Sequence, residues 1–416
     1  MGNAIKAAIG KRVGTLKEEW SFESKEKIST ELIAGKIGSQ DVLIFGTKDG
    51  TVQIVKDNGE KLWSYQASQK ADSVDLLFKE VDAAFSITTT PVIRDINNDG
   101  REEVIFGSEI GKLYALDQNG KLLWEFNAKD SIKSGPFIYD INNDGKQEII
   151  FGCNKKLYVL NNQGKLMWKF IVSSPIEAPI NVLHNKGLEI LFGTNDGTMY
   201  ALSWKGDLLW RFKTGKKITA QVAVGNIKGD DESYIVIGSE DRKIYVLDKY
   251  GRLQWDYETE GKILSKPALA DINNDGKLEI IFGSCDDKVY VLTAEGNKLW
   301  DYETDFWVVS TPLVLDIDND GKLEIVIGSY DHSVYVLDSE GSFLLNYMPG
   351  VSAVTQQTGH YSDTMTSQPG NFVGKKIWQF KTNGMIIGSA FITKENPEVI
   401  VATDSGRLDA LAIKKD

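Results

Sequence analysis

The chain has 416 residues, 42% hydrophobic and 25% charged, and a formal net charge of -12. Its 59 Asp and Glu against 47 Lys and Arg repel a phosphate backbone on average, so no nucleic-acid partner is expected. Cys153 and Cys285 stand too far apart in sequence for a disulfide framework or a thiolate zinc site, and no apolar run reaches the ~18 residues of a membrane span.

Residues 1–15 read as an N-terminal extension. Lys6 interrupts any signal-peptide core, and Lys11 and Arg12 stand where a small-residue cleavage site belongs. The cytoplasm is therefore the expected compartment, or the extracellular space if Met1 is not the native start. Ala4, Ile5, Ala8, Ile9, Val13 and Leu16 would share one face of a short helix, so the alternative is a membrane-peripheral scaffold held by this segment.

From Trp20 onward one pattern recurs. Trp20, Trp63, Trp124, Trp168, Trp210, Trp255, Trp300 and Trp378 each have an aromatic residue two places later, mostly at spacings of about 42–45 residues. Only Trp204 and Trp307 fall outside the pattern. Within the unit 255–300, short runs such as LEIIFGS, KVYVLT and KLWDYE are rich in β-branched and aromatic residues and bounded by Gly, Asn or Asp. Those are strand and hairpin signals. A Trp and an aromatic at i+2 share one strand face, and an isolated sheet cannot bury that face. Four antiparallel strands at this period predict a β-propeller.

The second-strand motif recurs at Gly46, Gly107, Gly152, Gly193, Gly238, Gly283, Gly328 and Thr403, which gives eight blades. The last copy stops before a Trp segment, whereas the chain begins with one, LKEEWSF. The expected fold is all-β, an eight-bladed β-propeller of four-stranded antiparallel blades, monomeric, spanning 16–416, with the N-terminal strand closing the ring. Two insertions break the period, at 67–86, apolar enough for a short helix, and at 346–376. Long loops in a short-looped fold are functional or disordered.

Between first and second strands, four loops share D-x-[ND]-x-D-G-x-x-E. They are Asp95, Asn97, Asp99, Arg101 and Glu103; Asp140, Asn142, Asp144, Lys146 and Glu148; Asp271, Asn273, Asp275, Lys277 and Glu279; and Asp316, Asp318, Asp320, Lys322 and Glu324. Positions 1, 3, 5 and 9 offer side-chain oxygens and position 7 a backbone carbonyl, a hard-cation ligand set. Asn-Asp-Gly between strands also makes a plain turn. The other four blades turn without the first acid, as in GKIGSQD or LHNKGLE, so turning alone does not require the full set. About four structural Ca2+ sites are expected, or Mg2+ in a cytosolic setting.

This D-x-N-x-D-G-x-x-E unit followed by an apolar run and Gly resembles the FG-GAP repeat of integrin-α-type propellers. The second half, as in YALDQNGKLLWEF, resembles the repeat of pyrroloquinoline-quinone-type eight-bladed propellers and of outer-membrane assembly lipoproteins. The first resemblance implies calcium in the four complete loops. The second admits a quinone-dependent enzyme, although the chain lacks the adjacent cysteine pair that the alcohol dehydrogenases of that family carry near their cofactor.

No sequence motif for catalysis is present. His184, His332 and His360 have neither metal nor triad spacing, and there is no G-x-S-x-G, phosphate loop or H-E-x-x-H. Paired carboxylates, the glycosidase requirement, are too common here to exclude. The expected function is therefore a non-enzymatic calcium-binding scaffold for an unidentified protein partner, the alternative being a carbohydrate-active or quinone-dependent enzyme using the central channel. Phe306 and Trp307, where equivalent loops are polar or small, are the candidate partner contacts, beside an acidic ring of Asp49, Glu109, Asp196, Asp241, Asp287 and Asp331.

Overall fold

The computed structural model describes residues 15–67, 85–185, 187–317, 320–343, 372–392 and 398–414. The helix expected within 67–86, most of the second insertion, His360 and Asp318 lie outside them. The described residues contain strands and no helix, hence none long and apolar enough to cross a membrane.

Seven blades are antiparallel meanders over residues 33–66, 92–127, 137–171, 181–213, 223–258, 268–303 and 313–381. The eighth takes three strands from 386–414 and its outermost one from the other end of the chain. Thr15–Glu23 pairs antiparallel with Arg407–Lys414, setting Trp20 opposite Ala410 and Phe22 opposite Leu408. Eight blades and ring closure by the N-terminal strand are as the repeat predicts.

The core follows from the same pattern. A blade's second and third strands are buried on both faces, which is why they read as continuous apolar runs: Glu279–Gly283 and Lys288–Leu292 are almost wholly buried. Outer strands such as Leu122–Asn127 alternate exposed and half-buried positions because only one face has a neighbour. Buried side chains fall into eight clusters, each shared by two adjacent blades, including one joining blades 8 and 1.

Most described outer-strand Trp side chains fasten their blade to the next. The indole N–H of Trp63 donates to the Gln118 carbonyl (3.0 Å), that of Trp124 to Asn162 (3.1 Å) and that of Trp255 to Ala294 (3.0 Å). The ring lies on the glycine of the next blade's third-to-fourth turn. At Gly164, with φ +73°, an added Cβ would sit 2.6 Å from the Trp124 ring. Glycine is required there both for the left-handed backbone and for the space.

Blades 6 and 7 depart from the regular plan. The outer strand of blade 6, Lys298–Glu303, also meets Phe372–Lys381 of blade 7 in parallel, with Asp301 opposite Val373. The two blades form one eight-stranded sheet. Trp300 is 2% exposed there, whereas Trp124, Trp168, Trp210 and Trp255 stay half-buried.

Candidate functional site

Alternate connections of a meander emerge at opposite ends, so the ring has two chemically distinct faces. One carries the acidic first-to-second loops and the third-to-fourth turns. The other carries the second-to-third loops and the connections between blades.

On the first face the acidic loops close in a shared way. In blade 2, Asp95 Oδ1 accepts from the Asn98 N–H (2.7 Å) and Oδ2 from Gly100 (2.8 Å), while Asn97 Oδ1 accepts from Asp99 (2.9 Å). Asp99 accepts from the Arg101 N–H (2.9 Å). Glu103, buried, accepts from the Ile96 N–H (2.9 Å) and the Asn97 amide (3.2 Å). The pattern returns at Asp140, Asn142, Asp144, Lys146 and Glu148 and at Asp271, Asn273, Asp275, Lys277 and Glu279. In blade 7, Asp316, Asp320, Lys322 and Glu324 repeat its main contacts. Gly100 takes φ +79° with open space around it, as the sharp turn demands.

Burial pushes the ninth-position carboxyls up, with the loop aspartates adding to it: Glu103 is raised, and Glu148 and Glu279 reach about 7. The oxygens of the three fully described loops suit a hard cation, since a carboxylate oxygen that accepts one hydrogen bond keeps a further lone pair. As closed here, with oxygens turned to backbone N–H groups, no cluster of three or more His, Cys, Asp or Glu among the described residues is arranged to hold a metal ion.

On the opposite face most of the expected acidic ring is committed to holding loops. Asp241 accepts from the Gly215 N–H (2.5 Å) and the Tyr245 hydroxyl (2.7 Å). Asp331 accepts from the Asp305 N–H (3.0 Å) and the Tyr335 hydroxyl (2.6 Å). Asp196 is opposed by burial, yet hydrogen bonds from Thr194, Thr198 and Ser173 hold its carboxyl well below the usual range. In blade 6 the equivalent residue is Asp286, bound to Tyr290 (2.9 Å) and the Glu260 N–H (2.9 Å). Asp286, not the expected Asp287, holds this place; the Ser-x-Asp spacing shared by Ser239-Asp241, Ser284-Asp286 and Ser329-Asp331 marks it in the sequence.

Phe306 and Trp307 stand out on this face. Their rings stack 5.3 Å apart at 8° and are 44% and 43% exposed. Their backbone is pinned: the Phe306 carbonyl accepts from Thr304 Oγ1 (2.7 Å) and the Trp307 carbonyl from the Tyr330 N–H (2.9 Å). On the same two blades the buried Oδ1 atoms of Asp286, Asp287 and Asp331 have no hydrogen-bond partner among the described residues.

The two remaining described histidines sit at the surface; His184 occupies the place of the first acid in a degenerate loop and meets the Tyr139 hydroxyl at 2.7 Å. The channel on the ring axis includes a cavity of about 440 Å³ lined by Glu31, Arg94, Lys133, Gln221 and Lys266 among others. Burial raises Glu31 and lowers Lys266, each partly offset by the other's charge.

These features define an eight-bladed β-propeller with acidic turn loops on one face and an aromatic platform on the other. The family described as the lambda-carrageenase beta-propeller domain matches residues 91–136, 183–261 and 248–349, together about half of the chain, and the chain belongs to that family. No curated protein matches the sequence. Among solved structures the chain is similar to BamB from Moraxella catarrhalis, at 18% identity and TM-score 0.64, covering 97% of this chain and 99% of that one. It is similar to Sqt1 of Saccharomyces cerevisiae, at 11% identity and TM-score 0.67, again over 97% and 99%. It also matches BBS1N in complex with ARL6DN, at 14% identity and TM-score 0.53, over 79% and 92%.

Proposed function

We propose that the protein is a non-enzymatic propeller scaffold whose Phe306–Trp307 face docks a protein partner, with calcium stiffening the four acidic loops. The observation that carries the docking reading is the stacked, exposed aromatic pair on a pinned backbone. Large aromatics on rigid backbone are typical anchors of binding energy. BBS1N, one of the similar structures, was itself solved in complex with ARL6DN.

The test is a photo-cross-linking amino acid placed at Trp307 in cells, with Lys129 of the blade 2–3 connection as control. A discrete adduct from position 307 alone is expected, and no adduct, or the same adduct from both positions, counts against the reading. For the loops, chelator should lower the melting temperature and added calcium restore it. An unchanged melting temperature in both directions removes calcium from the reading.

The second reading is carbohydrate chemistry, supported by the family description, which names a carrageenase. Two carboxylates are needed at a glycosidic bond, and Glu31 is the one carboxylate among the described residues lining the channel cavity. Incubating the protein with carrageenan and assaying reducing ends tests it. Release of reducing ends that is lost in Glu31→Gln would favour this reading over the scaffold.

A further inference from the structure

The repeat provides its own control at one position of the outer rim. In blades 2, 5 and 6 a lysine of the third strand pairs with an acid of the outer strand: Lys112 with Glu125 (2.8 Å), Lys243 with Asp256 (3.0 Å) and Lys288 with Asp301 (3.4 Å). In blades 3 and 4 the outer-strand acid is replaced by a cation. Lys169 lies opposite Tyr158, and Arg211 opposite Tyr200, where Glu125, Asp256 and Asp301 face Tyr114, Tyr245 and Tyr290. Neither Lys169 nor Arg211 has an ion-pair partner among the described residues. Beside them stand exposed Met167, Ile171 and Leu209, Ile171 at 68%.

We propose that the outer edges of blades 3 and 4, strands Leu166–Ile171 and Leu208–Lys213, are each a docking edge for an extended polypeptide in which apolar and acidic residues alternate. Both strands end their sheets, so their outward N–H and C=O groups lack a further strand. Lysine on an edge strand commonly serves only to repel other edges, but that device does not place an isoleucine 68% exposed next to it. An outer edge of the ring makes a backbone contact with another strand elsewhere, where Asp301 of blade 6 pairs with Val373 of Phe372–Lys381, and the neighbouring Trp300 is buried. An added strand satisfies the edge groups and covers the alternate apolar side chains, while Lys169 on one edge and Arg211 on the other select acids on the incoming chain. A lipid surface meets the charge and apolar requirements too, yet leaves the edge amides unpaired in hydrocarbon. This rim is separate from the Phe306–Trp307 platform, so either surface can fail alone.

The experiment pans a phage library of random dodecapeptides against the full chain. Enriched peptides are expected to alternate apolar residues with Asp or Glu. Their affinity should fall at least about tenfold in Lys169→Glu/Arg211→Glu, stay near wild type in Lys169→Arg, and vanish when alternate peptide amides are N-methylated. The melting temperature of these surface variants should match wild type, which separates lost docking from lost fold. The proposal is overturned if the enriched peptides lack an acidic bias, ignore the charge reversal or tolerate N-methylation, or if only phosphatidylserine vesicles bind the rim.

Discussion

A carboxylate buried at the ninth position of an acidic loop must take a proton, take a cation, or be stabilised by donors. Glu148 and Glu279 have one backbone donor and one asparagine amide each, and burial still carries them up to about 7. A carboxyl titrating near 4.5 when unfolded and about 7 when folded binds more protons in the native state between those values. Metal-free stability therefore falls as pH rises from about 5 to about 7. Calcium uses the ionised carboxylate, so it should flatten or invert that slope. Melting temperatures across this range, with chelator and with calcium, check both halves, and Glu148→Gln/Glu279→Gln should make the slope shallower and weaken the calcium response. Glycine gives a second test at this scale. Gly100→Ala should cost about 1–2 kcal/mol for its left-handed backbone alone, whereas Gly164→Ala should add about 1–3 kcal/mol of overpacking against Trp124. Urea unfolding measures the difference, and equal costs would show that the indole contact contributes little.

At the scale of elements, how much was legible depends on how many neighbours each strand has. Second strands such as EIIFG, buried on both faces, and outer strands such as LLWEFN, buried on one, have patterns that follow from burial alone. Blade count and ring closure are therefore legible in the sequence alone. The parallel contact between Lys298–Glu303 and Phe372–Lys381 could not, because one backbone pairing leaves no periodic trace in the side chains. The reversed charges at Lys169 and Arg211 are plain letters in the sequence, but they become meaningful only once register sets them beside Glu125, Asp256 and Asp301 as equivalents. Ring closure yields a prediction here. Removing residues 1–22 takes Trp20 and Phe22 from the cluster that joins blades 8 and 1 and leaves Arg407–Lys414 as a bare edge. The truncated chain should melt markedly lower than the full one by circular dichroism, and equal melting would mean that the closing strand is dispensable.

For the whole molecule, the core has no hub. Each of its eight clusters belongs to one pair of neighbouring blades, and the cluster across the chain ends is built like the rest. Such a ring is stabilised by a cycle of nearest-neighbour interfaces, so the blade in which the backbone happens to be cut should matter little. Thr15 and Lys414 are directly paired, so a short Asn-Gly turn can join them into a third-to-fourth hairpin like those of the other blades. New ends can be opened between Lys249 and Tyr250, in the matching turn of blade 5. No indole hydrogen bond is lost there, because the Trp210 N–H goes to Glu189 (3.2 Å) and not to that turn. Blade 5 would then be completed by an N-terminal outer strand, Leu253–Glu258, as blade 8 is in the native chain. This permutant should fold with strand content equal to the parent and a melting temperature within a few degrees of it. A permutant that fails to fold, while the parent carrying only the Asn-Gly junction folds normally, would show that blade 5 is a nucleus the ring cannot open and that the eight interfaces are not interchangeable.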